Sequence, residues 1–139
     1  MDRVLDRLWI GSSKDLLSTT PLRSLGFVAV LDLRDAGQAR PLDVTTFAHA
    51  NRDGAPWAAA DVNAALAFVY EHVRFGRVLV ACGAGMSRST SMVIGFLVRC
   101  GWDAPSAYEH LRRAHMEAAP SAKMVDVVLN SCGVHEDMR

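Results

Sequence analysis

Cys82 and Arg88 stand six positions apart, and Gly83, Ala84, Gly85, Met86 and Ser87 lie between them in Val78–Ser91, VLVACGAGMSRSTS. An apolar β-branched run precedes the pair and a long apolar run follows it. The pattern predicts a buried strand, a glycine-bearing loop and the start of a buried helix. Such a loop suits a phosphate. Glycines let successive backbone N–H groups turn inward, and the helix start adds the positive end of its dipole. Arg88 can fork two phosphate oxygens with its planar guanidinium. A cysteine in that field is expected as the thiolate, the form that attacks. In-line attack on phosphorus forms a phosphocysteine, with the oxyanions held by the amides of residues 83–88 and by Arg88. Ser89 is placed to donate a hydrogen bond to the sulfur as it leaves.

The spacing alone is weak evidence: a Cys meets an Arg at any given offset in roughly 5% of cases. Context gives it weight, because Gly85 stands third after Cys82 and Ser87-Arg88-Ser89 closes the loop at a helix start. The competing reading, a small buried hydrophobe in an ordinary strand-to-helix turn, leaves the glycines and the arginine unexplained. The chemistry also needs a proton donor for the leaving oxygen and a base for the later water, roles one carboxyl group can fill. It needs no metal or other cofactor, and no cluster of His, Cys, Asp and Glu has metal-ligand spacing.

Residues 78–98, VLVACGAGMSRSTSMVIGFLV, resemble the phosphate loop and central helix of dual-specificity protein phosphatases, within the cysteine-dependent protein tyrosine phosphatase superfamily. The resemblance extends over most of the chain. Arg7–Gly11 resembles the family's first strand, Val30–Arg34 its next, and Ala119-Pro120-Ser121 the start of its last helix. It implies an α/β sheet flanked by helices, a shallow pocket, and hydrolysis of phosphotyrosine and phosphoserine or phosphothreonine in proteins. It also implies a general acid about thirty residues before the cysteine, on a loop preceding a helix. Asp53 lies 29 residues upstream in Asn51-Arg52-Asp53-Gly54 and fits that place. Its competing reading is a solvated turn residue, with Asp43 and Asp61 as the next candidates. One departure stands out: the family has His before the nucleophile, where this chain has Ala81.

That departure keeps a second class of function open, a pseudophosphatase that binds phosphate groups without turnover. A phosphatase for a non-protein phosphate ester is a further alternative. A phosphoinositide enzyme is expected to carry loop Lys, which residues 83–86 lack. Low-molecular-weight phosphatases and arsenate reductases have a similar loop, but at the N-terminus.

The elements that must position these residues can be read along the chain. Leu8–Ile10 is a short strand candidate, and Asp15–Leu25, interrupted at Pro21, reads as one or two helical turns closed by Gly26. Phe27–Leu33 is a buried strand, with Asp32 and Arg34 at its end as a structural pair or loop anchors. Thr45–Ala50 is a possible strand. Val62, Ala65, Leu66, Val69 and Val73 fall at helical spacing up to Gly76. Ser89–Cys100 is apolar enough to be central, Asp103 caps a helix with Pro105 in its first turn, and Ser121–Ser131 makes a last helix. Strands alternating with helices predict an α/β domain: a single, mostly parallel central sheet flanked by helices. His110 and His115 are expected on a solvated helix face, and Trp57 at the pocket mouth or in the core.

The chain of 139 residues suits one domain spanning 1–139, and with 50% hydrophobic residues it can build a real core. Fifteen basic residues balance fifteen acidic ones, which argues against a nucleic-acid partner. Apolar runs are too short for a membrane span, and the charged N-terminus does not read as a signal peptide. Cys82, Cys100 and Cys132 are too few for a disulfide scaffold. A cytoplasmic enzyme acting on phosphorylated protein is the expectation. The oligomeric state and the physiological substrate are not legible.

Overall fold

Val78–Ala81 is a β-branched and aliphatic run with no polar face, so the strand it forms must be covered on both sides. The computed structural model describes residues 1–34, 42–48, 57–83, 87–116, 118 and 122–131. In it this run is the centre of a five-stranded sheet. The strands are β1 (Asp2–Leu5), β2 (Leu8–Ser12), β3 (Phe27–Asp32), β4 (Thr45–Ala48) and β5 (Arg77–Cys82), in the spatial order β1-β2-β5-β3-β4. The β2–β5, β5–β3 and β3–β4 pairs are parallel; β1 alone runs antiparallel, to β2. The sheet is thus mostly parallel, as the alternating pattern implies. β1 is an unpredicted addition. Only Val4 among its four residues is buried, so its sequence carries almost no periodic signal.

The chain builds β2, β3 and β4 outward and then returns to insert β5 between β2 and β3. Open α/β sheets with such a reversal bind ligands outside the carboxyl ends of the strands. Cys82 is the last residue of β5 and lies at that place.

The two faces of the sheet are unequal. Val78, Val80 and Cys82 join Leu8, Ile10, Ala29, Leu31 and Leu33 in the larger core. Four helices cover it: α2 (Ala59–Val73), α3 (Arg88–Arg99), α4 (Ala104–Ala114) and α5 (Ala122–Ser131). Leu79 and Ala81 point the other way, into a smaller cluster with Leu16, Leu22, Phe27, Val30 and Val44. Among the described residues, only α1 (Ser13–Leu16) and a 3₁₀ turn (Leu22–Leu25) cover that side. Gly26, at φ +87°, ends the 3₁₀ turn in the left-handed region that glycine enters at no steric cost. Gly95 has a different reason: a Cβ there would overlap Val128, so α5 crosses α3 at backbone contact. Asp103 caps α4 by accepting from the Ser106 N–H at 2.9 Å, and that backbone bond holds its carboxyl below the usual range.

Candidate functional site

Arg88, Ser89, Thr90 and Ser91 form the first turn of α3, and all four are buried. Polar side chains at such depth require partners. Thr90 and Ser91 each donate a hydroxyl hydrogen bond to the Ser87 carbonyl, at 3.0 and 2.6 Å. Both bonds fold back on the turn's own start. Ser89 Oγ instead lies 3.3 Å from Cys82 Sγ. Arg88 extends its guanidinium across the strand ends, where Nη1 donates to the Leu33 carbonyl at 2.8 Å. A Cβ built on Gly83 would sit 3.6 Å from Arg88 Nη2, so the guanidinium flanks the residue after Cys82.

The thiol, the hydroxyl and the fork therefore meet at one point, the junction of β5 and α3. The loop is also tied to the opposite layer, because the Ser13 N–H donates to the Gly83 carbonyl at 3.2 Å. Ala84, Gly85 and Met86 lie outside the described residues, as do Asp53, Cys132 and Ala119-Pro120-Ser121.

The remaining candidates fall elsewhere. Asp43 accepts from the Arg23 and Leu22 N–H groups, at 2.9 and 3.1 Å, at the start of the 3₁₀ turn. The Arg23 bond chiefly holds its carboxyl below the ordinary range. A general acid needs the opposite shift, so Asp43 is a turn anchor. Asp61 is exposed in the first turn of α2. Trp57 is buried in the larger core rather than set at a pocket mouth. Cys100 lies at the far end of α3, with its thiol pushed up by burial against the opposing charge of Arg99. The 12 residues of α3 lie between it and Cys82, about 18 Å of helix at 1.5 Å per residue and too far for a disulfide.

The two histidines correct the sequence expectation. His115 is 5% exposed and its Nδ1 lies 2.6 Å from Asp2 Oδ2. His110 Nε2 lies 2.6 Å from the Val4 carbonyl and its ring packs on Trp102. Both tie α4 to β1, the strand whose presence the sequence did not signal. Among the described residues no group of three His, Cys, Asp or Glu side chains could hold a metal ion. No described helix is long and apolar enough to cross a membrane.

Sequence reasoning also missed the Leu33 carbonyl as the partner of Arg88. A backbone acceptor has no residue-type signature. The flanking Asp32 and Arg34 were the available hint, and the structure joins them as a pair: Arg34 Nε and Nη2 fork Asp32 Oδ1 and Oδ2 at 3.0 and 2.9 Å.

No family model matches the sequence, and no curated protein matches it. Solved structures do match in three dimensions. Human DUSP28 superposes with a TM-score of 0.82 at 21% identity, over 94% of each chain. The chain has the dual-specificity phosphatase fold. The human tyrosine phosphatase-like serine/threonine/tyrosine-interacting protein gives 0.84 at 19% identity, over 94% of this chain and 93% of that one. PTPMT1 in complex with PI(5)P gives 0.74 at 16%, over 93% and 92%. At these identities the likeness speaks for the fold.

Proposed function

We propose that the protein is a metal-free phosphomonoesterase acting on phosphorylated protein in the cytoplasm through a phosphocysteine intermediate. The observation that carries the reading is the meeting of Cys82 Sγ, Ser89 Oγ at 3.3 Å and the buried Arg88 fork at one strand–helix junction. The Cys82 thiolate attacks phosphorus and the bond to the leaving oxygen breaks. Arg88 and the loop amides take up the charge on the equatorial oxygens. Asp53 gives its proton to the leaving oxygen, then accepts one from the water that attacks the phosphocysteine. Phosphate departs, and the sulfur returns as a thiolate with the Ser89 hydroxyl donating to it. Steady-state hydrolysis of p-nitrophenyl phosphate in EDTA tests this directly. Turnover that Cys82→Ser abolishes is the expected result.

Ala81 and the likeness to a phosphatase-like interacting protein favour a second reading, a module that binds phosphorylated partners without turnover. Tight phosphopeptide binding by the parent, with no hydrolysis of any aryl phosphate, would select it. Phosphopeptide and phosphoinositide panels separate a protein substrate from a non-protein ester.

A further inference from the structure

Asp32 and Arg34 take no part in the reaction above, yet they enclose a backbone group that touches both halves of the site. The Leu33 N–H donates to the Ala81 carbonyl at 2.7 Å, one residue before Cys82. The Leu33 carbonyl accepts from Arg88 Nη1 at 2.8 Å. Around this residue the chain closes three times on Asp32: Arg34 N and Nε reach Oδ1 at 3.0 Å, and Nη2 reaches Oδ2 at 2.9 Å. The backbone bond is the i to i+2 closure of an Asx turn, and the side-chain fork locks it.

We propose that Asp32 and Arg34 are positioning residues: their clasp fixes the direction of the Leu33 carbonyl and, through it, the Arg88 guanidinium. The proposal rests on the phosphate-binding role of Arg88. Both side chains of the pair are only 2% exposed. Buried pairs give little stability over an apolar pair of similar size, so stability alone is a poor reason to keep one at a strand end. Orientation is a better reason. A bidentate contact with phosphate loses its second bond when the fork rotates, and a long arginine side chain needs an anchor at its far end. The clasp also has room. Asp32 is the register partner of Ala81, on the sheet face turned away from Cys82, and Ala81 puts only a methyl group beside it.

The test compares alkylation of Cys82 by iodoacetate and by iodoacetamide, followed on the Cys82 peptide by mass spectrometry. Both reagents need the thiolate, but only iodoacetate carries a carboxylate for Arg88 to fork. Their rate ratio therefore reports the guanidinium and not general damage. In the double variant Asp32→Leu/Arg34→Met, which leaves no unpaired charge, the ratio should fall about tenfold, the scale of one charge-assisted hydrogen bond. KM for p-nitrophenyl phosphate should rise by a similar factor while kcat changes less. In Arg88→Lys the ratio is already low, and removing the pair should lower it no further. A ratio within twofold of the parent in the double variant, or losses that multiply with Arg88→Lys, overturns the proposal. If the double variant does not fold, Arg34→Lys decides: it keeps the charge but not the fork, and an unchanged ratio there overturns the proposal equally. A parent without turnover but with a high, Arg88-dependent ratio would defeat the phosphatase reading and leave this one standing.

Discussion

Two arginine–carboxylate pairs lie in different parts of this molecule. Arg113 and Glu109, on the outer face of α4, approach to 2.6 Å with side chains 78% and 65% exposed. Arg34 and Asp32, beside the junction of β5 and α3, sit slightly further apart at 2.9 Å with both side chains 2% exposed. The shorter pair matters less. Water screens it and either residue can let go at little cost, whereas the buried pair cannot lose one member without stranding the other. The contrast holds for the two regions as wholes. At the strand ends the charges and hydroxyls are enclosed and held; on the α4 surface they are solvated.

The sharpest break at the enclosed end is chemical. Cys82→Ser should abolish turnover while phosphate or vanadate still binds, because the cradle and Arg88 persist. Residual activity within tenfold of the parent would sink the mechanism. Arg88→Lys should be nearly as severe, since a point charge cannot replace a planar fork. Near-normal kcat/KM would remove Arg88 from the site.

Stability gives the next largest contrast. Asp32→Ala should cost about 3–5 kcal/mol in urea unfolding by leaving Arg34 buried and unpaired. A loss under 1 kcal/mol would mean that the enclosed end behaves like the surface. Asp53→Asn and Asp43→Asn separate the candidate acid from the turn anchor. The first should slow alkyl phosphates more than aryl phosphates with good leaving groups. The second should spare kcat and lower stability at neutral pH. Asp43 is held ionised in the folded chain. Its contribution is therefore present above the ordinary carboxylate range and fades as pH falls through its lowered one, so parent and variant should converge in acid. A leaving-group effect in Asp43→Asn instead would exchange the two assignments.

Ala81→His tests the departure from the family pattern. The side chain at 81 faces the smaller cluster and is fully buried, so an imidazole there should overpack it at about 1–3 kcal/mol. A variant as stable as the parent, with the acidic limb of its pH–rate profile shifted downward, would show that the space beside Asp32 accepts a loop-supporting histidine. The smallest effect belongs to the surface pair: Arg113→Ala should change stability by no more than about 0.5 kcal/mol. A larger change would erase the contrast between the exposed and the buried pair.

Much of this protein was legible in residue order because its determinants are local. β5, the loop glycines and α3 are contiguous, so Cys82, Arg88 and Ser89 could be joined from the spacing and residue types of one short stretch. Buried strands and central helices announce themselves by apolar runs, and Gly26 and Asp103 mark their turns by residue type. The tertiary structure decided what depends on elements far apart in the chain. β1 forms because β2 offers it an edge and because His110 and His115, more than a hundred residues away, hold its Val4 carbonyl and Asp2 side chain. Asp43 became an anchor only when the 3₁₀ turn was brought to it. Arg88 found its acceptor in the Leu33 carbonyl, 55 residues upstream, and a peptide oxygen is the same at every position of a sequence. Periodicity and residue type encode which face is buried and which group can react; the direction in which a backbone acceptor points is set only when β3 and β5 lie side by side.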